Sequence, residues 1–141
     1  MTRRLTHLGG ARATILAGFL MTAADRHAGF AALLGNALSH ALVQILKRSV
    51  ARPRPAGPDG TPLALVALPD PYSFPSGHAA AAMAVALPAA VTWWWCAPIV
   101  LPLAAFVAWS RYALRVHHAS DVMAGAALGA AGAVAALQLL A

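Results

Sequence analysis

AAAAMAVALPAAVTWWWCAPIVLPLAAFVAW, residues 79–109, is a run of thirty-one positions without a charge. A helix crosses a bilayer's hydrocarbon with about 20 apolar residues, so the run is awkward for one span and sufficient for two. Pro88, Pro98 and Pro102 interrupt it, and Trp93–Trp95 is a cluster of the side chain that favours the membrane–water boundary. The reading is a helix over 76–95, a tight turn at 96–98, and a helix over 98–112. Cys96 is the only cysteine, so it has neither an internal disulfide partner nor a second thiol ligand. It reads as a packing residue beside the tryptophans.

The same pattern extends to both sides. Residues 118–141 form an apolar helix with Gly125, Gly129 and Gly132 at spacings that let helices approach closely in lipid, either within the chain or in a homo-oligomer through the Gly125/Gly129 face. Residues 28–46 form another helix, closing on Lys47. Its polar residues Asn36, His40, Gln44 and Lys47 fall on one stripe and read as interior hydrogen-bonding groups, with Lys47 the exception because it opens a motif. Residues 13–24 are apolar and follow Arg3, Arg4 and Arg12, so a first membrane helix from about residue 5 is preferred over a signal peptide. Between 48 and 74, Pro53, Pro55, Pro58, Pro62, Pro69 and Pro71 exclude a continuous helix and indicate a loop outside the hydrocarbon. The expected fold is therefore all-α: an integral-membrane bundle of about five helices forming one domain over 1–141, multi-pass in the cell membrane.

Composition agrees. Only 10% of residues are charged, against about 25% in ordinary soluble domains, and mean hydropathy is +0.68. The ten Lys and Arg outweigh four acids, giving a formal +6. They are scattered between apolar runs and build no helical stripe, which argues against nucleic acid and for an anionic lipid or substrate.

Alternating spans place the end of the second helix, the start of the third, the end of the fourth and the start of the fifth on one side. Lys47, Arg52, Arg54, His78, Arg111, Arg115, His117 and Asp121 then gather at one membrane face. Cations on separate helix ends suit a multiply charged anion, and Arg matches phosphate oxygens with its planar fork. Pro75-Ser76-Gly77-His78 opens a helix whose first-turn N–H groups favour phosphate. His117 and Asp121 lie four apart, so on a helix they would share a face, with the carboxylate holding one imidazole nitrogen and the other acting as nucleophile. His78 can then protonate a leaving alkoxide. Zinc on His78, His117, His118 and Asp121 is disfavoured, because the surrounding cations repel a metal ion. No metal or other cofactor is expected.

These residues resemble the type-2 phosphatidic acid phosphatase family, which also includes bacterial acid phosphatases and vanadium haloperoxidases. Lys-x6-Arg-Pro is met by Lys47 through Arg54-Pro55, Pro-Ser-Gly-His by Pro75 through His78, and Ser-Arg-x5-His-x3-Asp by Ser110-Arg111, His117 and Asp121. The resemblance implies a phosphohistidine at His117, with Asp121 its partner and His78 the acid. Lys47, Arg54, Ser76, Gly77 and Arg111 would hold the phosphate, with Arg52 the alternative to Arg54. The motif core is 47–121. The implied activity is metal-independent hydrolysis of a lipid phosphate: phosphatidate, phosphatidylglycerophosphate, or a polyprenyl phosphate or diphosphate. A non-catalytic binder or transporter of an anionic lipid is the competing reading. If all five helices span, Arg3, Arg4, Arg12 and Arg48 share the site's side, which the positive-inside rule makes cytoplasmic. A first helix lying on the surface would move the N-terminal charges across.

Overall fold

Prolines, an aspartate and the lipid requirement set the helix ends. The computed structural model describes residues 9–68 and 70–141, and these contain five α-helices. Helix α1 spans Ala11–Ala24 and α2 spans Arg26–Val50. After the proline-rich loop come α3 (Gly77–Thr92), a single 3-10 turn (Trp94–Cys96), α4 (Ala97–Ala113) and α5 (Ala119–Leu140). The described residues form no strand; two isolated bridges, Pro53 with Tyr72 and Ala56 with Pro62, pin the loop. The all-helical fold read from the sequence is the one observed. Arg3, Arg4 and His7, and the start proposed for the first helix near residue 5, lie outside the described residues.

Asp25 separates α1 from α2 by capping the second helix, its Oδ1 accepting from Ala28 N at 2.8 Å. Helix α2 therefore starts two residues before the expected 28. It also runs past Lys47 to Val50, because the first breaker is Pro53, which disfavours helical geometry at Arg52. The chain leaves α2 through Ala51 in the left-handed region (φ 48°). The expected turn at 96–98 is instead the 3-10 turn Trp94–Cys96, two residues earlier, with Trp94 79% exposed.

Three helices (α2, the continuous segment Trp94–Ala113, and α5) are long and apolar enough to cross a membrane, while α1 and α3 are shorter apolar helices. Helices α2, α3 and α5 pack on one another at the centre, with α1 against α2 and α4 against α3. The centre is built from small residues: Ala31, Ala32, Ala84, Ala133 and Ala136 are buried, whereas Phe19, Trp95, Met123 and Leu139 are exposed. That inversion suits a lipid solvent, where close backbone approach replaces the hydrophobic effect as the packing force.

Glycines on α5 make the approach. A Cβ on Gly125 would strike the Ser76 carbonyl, one on Gly129 the Ala80 carbonyl, and one on Gly132 would meet Gly35 O at 2.7 Å. Gly125 and Gly129 thus pack within the chain against the start of α3, the first of the two alternatives that their spacing left open. Gly129→Val is expected to lower stability by about 1–3 kcal/mol, since a backbone carbonyl cannot step aside. Ala127→Val, on the exposed side of α5, should stay within about 0.5 kcal/mol. Thermal unfolding in detergent compares the two.

Candidate active site

The predicted helix ends do meet. A cavity of about 490 Å³ is lined by Lys47, Arg54, Arg111, His78, His117 and Gly77. They come from the last turn of α2, the loop after it, the last turn of α4, the first turn of α3, and the link into α5. Gly9 and Ala11 line it too, so α1 begins on this side, with Arg12 as expected.

The link 114–118 explains how His117 is held. Arg115 takes a left-handed conformation (φ 56°) and its N–H bonds Tyr112 O at 2.8 Å, which turns the chain back after α4. Val116 is thereby buried, and its carbonyl accepts from Arg54 at 2.8 Å. His117 follows, 3% exposed, with Nδ1 at 2.6 Å from the carbonyl oxygen of Ser73. A carbonyl only accepts, so Nδ1 carries the proton and Nε2 keeps its lone pair. Burial, with Arg54 and then Arg111 opposing a further positive charge, pushes this imidazole down to about 3. It is a neutral nitrogen base among cations.

Asp121 does not supply the expected hydrogen bond. Its Oδ2 lies 3.9 Å from His117 Nδ1, beyond hydrogen-bonding range. The reason is that α5 begins at Ala119, so His117 precedes the helix and the four-residue spacing confers no shared face. The carboxylate, 0% exposed, is engaged elsewhere. Oδ2 accepts from His118 N at 2.7 Å and faces His118 Nδ1 at 3.1 Å, while Oδ1 accepts from Arg52 at 2.9 Å. Its backbone carbonyl accepts from Ser76 N at 2.9 Å. Arg52 thus ties Asp121, and Arg54 lines the cavity.

Asp70, in the proline-rich loop, is the site residue that sequence reasoning missed. Its carboxylate bridges Lys47 Nζ at 2.6 Å and Arg54 at 3.1 Å, and its carbonyl accepts from Arg54 Nε at 2.9 Å. Burial alone would raise its pKa, but Lys47 and Arg54 outweigh that and hold it below the usual carboxylate range. Its partners lie 23 and 16 positions away, so no local pattern marks it. The Ser73 carbonyl, being backbone, is equally invisible to a reading of side chains.

Ser76, the residue before α3, is buried, and its Oγ has no hydrogen-bond partner among the described residues. Buried hydroxyls are nearly always bonded, so this one is poised for an acceptor. Ser110 Oγ donates to Val107 O at 2.6 Å, fastening it to its own helix. Arg115 is exposed. No cluster of three or more His, Cys, Asp or Glu side chains suited to a metal occurs among the described residues.

A neutral buried His117 has a consequence for stability. Its folded value of about 3 lies below the unfolded one, about 6.5, so the unfolded chain binds the proton first. Its contribution is complete above about pH 6.5 and declines toward pH 3, with a slope of up to about 1.4 kcal/mol per pH unit. His117→Asn, which can keep a donor toward Ser73 O, should lessen that slope when unfolding is followed from pH 7 to 4.5.

The chain resembles known proteins over most of its length. The family model described as PAP2 superfamily matches residues 28–141. A decaprenylphosphoryl-5-phosphoribose phosphatase of Mycolicibacterium smegmatis is 38% identical over 130 residues, covering 87% of this chain and 68% of that one. The protein of that description from Mycobacterium tuberculosis is 36% identical over 135 residues, covering 91% and 72%. Among solved structures, a transmembrane PAP2-type phosphatidylglycerolphosphate phosphatase from Bacillus subtilis superposes with a TM-score of 0.76 at 25% identity, over 98% of this chain and 74% of the other. LpxE of Aquifex aeolicus shares the fold with a TM-score of 0.83 at 22% identity, over 97% and 83%. With the family model spanning most of its length and curated relatives aligned over most of it, the chain belongs to the PAP2 superfamily and is a membrane lipid phosphatase.

Proposed function

We propose that the chain hydrolyses the phosphomonoester of a polyprenyl-linked phosphosugar through a phosphohistidine on His117. The observation that carries this reading is His117 Nδ1 anchored on the Ser73 carbonyl, which leaves the Nε2 lone pair available in a cavity also lined by three cations and His78.

Lys47, Arg54 and Arg111 hold the phosphoryl oxygens, and Ser76 Oγ donates to one of them. The N–H groups of the first turn of α3 at Gly77 and His78 add to the hold. The lone pair of Nε2 attacks phosphorus in line. The P–N bond forms as the P–O bond to the sugar breaks, and His78 delivers its proton to the departing alkoxide. The ring becomes cationic while bonded to phosphorus, and the Nδ1–H bond to Ser73 O and the nearby Asp121 carboxylate stabilise that charge. His78, now a base, takes a proton from water. The hydroxyl attacks phosphorus, the P–N electrons return to Nε2, and inorganic phosphate leaves. No step calls on a metal, since the cations supply the charge a metal would.

The mycobacterial relatives, whose description names a decaprenylphosphoryl-5-phosphoribose, support this substrate class. A protein that only bound or carried an anionic lipid would need the cations but not a tautomer-fixed histidine with a second histidine lining the same cavity. The apolar helices and the membrane relatives support a multi-pass position in the cell membrane.

Phosphate release in detergent from a polyprenyl-phosphoryl ribose bearing a 5-phosphate is the test. His117→Ala should abolish turnover, and His78→Ala should lower kcat by about 10²–10⁴. Orthovanadate should inhibit, and EDTA should not. EDTA-sensitive activity that survives in His117→Ala would refute the mechanism.

A further inference from the structure

The cavity does not stop at the phosphate cations. It continues along α2 past Gln44 and His40, which stand on the face that Lys47 ends. At 1.5 Å per residue, Gln44 lies about 5 Å and His40 about 10 Å from Lys47 along the helix axis.

That depth matters in lipid. Helix α2 has 25 residues, about 37 Å of helix against a hydrocarbon thickness of about 30 Å. His40, near its middle, therefore falls inside the hydrocarbon, yet its side chain is exposed and Gln44 is half-buried. The neighbouring polar residue behaves differently: Asn36 is buried and donates to Thr14 Oγ1 at 3.2 Å, a packing role between α1 and α2. Gln44 Nε2 lies 3.3 Å from His40 Nε2. An amide nitrogen donates, so His40 accepts there and carries its proton on Nδ1, and Gln44 retains its carbonyl oxygen. The pair offers a donor and an acceptor side by side. Exposed polar groups at membrane depth are costly unless a polar partner meets them.

The geometry points to His40 and Gln44 as specificity-determining residues that bind the polar, hydroxyl-bearing segment of the substrate between its terminal phosphate and its hydrocarbon tail. A phosphosugar fits: with the phosphate on Lys47, Arg54 and Arg111, its hydroxyls fall about 5–10 Å deeper, beside the pair. A phosphate joined directly to a polyprenyl chain would lay hydrocarbon against two polar side chains. This inference rests on the lipid phosphatase reading above and adds which part of the lipid the enzyme recognises.

The test compares two substrates in the full-length protein: a polyprenyl-phosphoryl ribose 5-phosphate and a polyprenyl monophosphate. For each of His40→Leu and Gln44→Leu, the ratio of kcat/KM for the sugar substrate to that for the monophosphate should fall by about tenfold, the equivalent of one or two lost hydrogen bonds. The fall should appear mainly in KM. His40→Gln, which keeps a donor and an acceptor, should restore the ratio to within about threefold of the wild-type value on the same reasoning. Both substrates are measured on one preparation, so loss of folded protein scales them alike and leaves the ratio intact. An unchanged ratio in both leucine variants would overturn the inference and leave the pair as an intrahelical hydrogen bond. A wild-type protein that releases phosphate from neither lipid would instead defeat the phosphatase reading beneath it.

Discussion

A carboxylate cannot be buried without partners, and in this protein the fully buried carboxylate of Asp121 is the knot around which the site is assembled. Arg52 reaches it from beyond α2, the His118 N–H from its own helix start, and Ser76 N bonds its backbone carbonyl from the start of α3. Three chain segments far apart in sequence are thereby brought to one point. An unpaired charge in such a position costs about 3–5 kcal/mol, so the partners are held in place by the penalty of their absence. Ser73 is fixed by the same arrangement, since its N–H bonds Arg52 O at 2.9 Å and its hydroxyl bonds Pro53 O at 2.8 Å. The carbonyl that orients His117 is thus positioned by the arginine that neutralises Asp121.

The second constraint is the separation of roles among the charges. Asp70 gathers Lys47 and Arg54, while Asp121 is neutralised by Arg52 away from them. His117 stands among the cations without a charge of its own. A protonated imidazole there would lose its nucleophilic lone pair and add to the crowding of positive charge. In the proposed mechanism, the environment that depresses its basicity also keeps it ready to react, and the ring becomes cationic only when bonded to an anionic phosphoryl group.

Much of this was legible in the sequence, for identifiable reasons. Helices in lipid need long apolar runs, and prolines and charges mark where they stop, so the five helices and their shared end could be read from spacing alone. The motif spacings brought Lys47, Arg54, His78, Arg111 and His117 to one cavity because each sits at a helix end or beside one. The His117–Asp121 contact was misread because the four-residue rule holds only inside a helix, and α5 starts two residues too late for His117. Asp70 and the Ser73 carbonyl escaped notice because their partners are distant in sequence and, for Ser73, because the acceptor is backbone. The Gly125/Gly129 stripe announced close packing but could not say with what. The polar stripe on α2 was visible as a period and all of it borders the cavity, yet only the fold separates Asn36, buried and bonded to Thr14, from the more accessible His40 and Gln44.

The proposed mechanism turns on transfer of the phosphoryl group to His117 Nε2. Rapid acid-free quenching of the wild-type protein during turnover of radiolabelled phosphosugar lipid, followed by peptide mapping, tests it directly. An acid-labile, alkali-stable phosphate is expected on the peptide carrying His117 and not in His117→Ala, with net retention of configuration at phosphorus. Label on another residue, or inversion at phosphorus with no labelled protein, would contradict it.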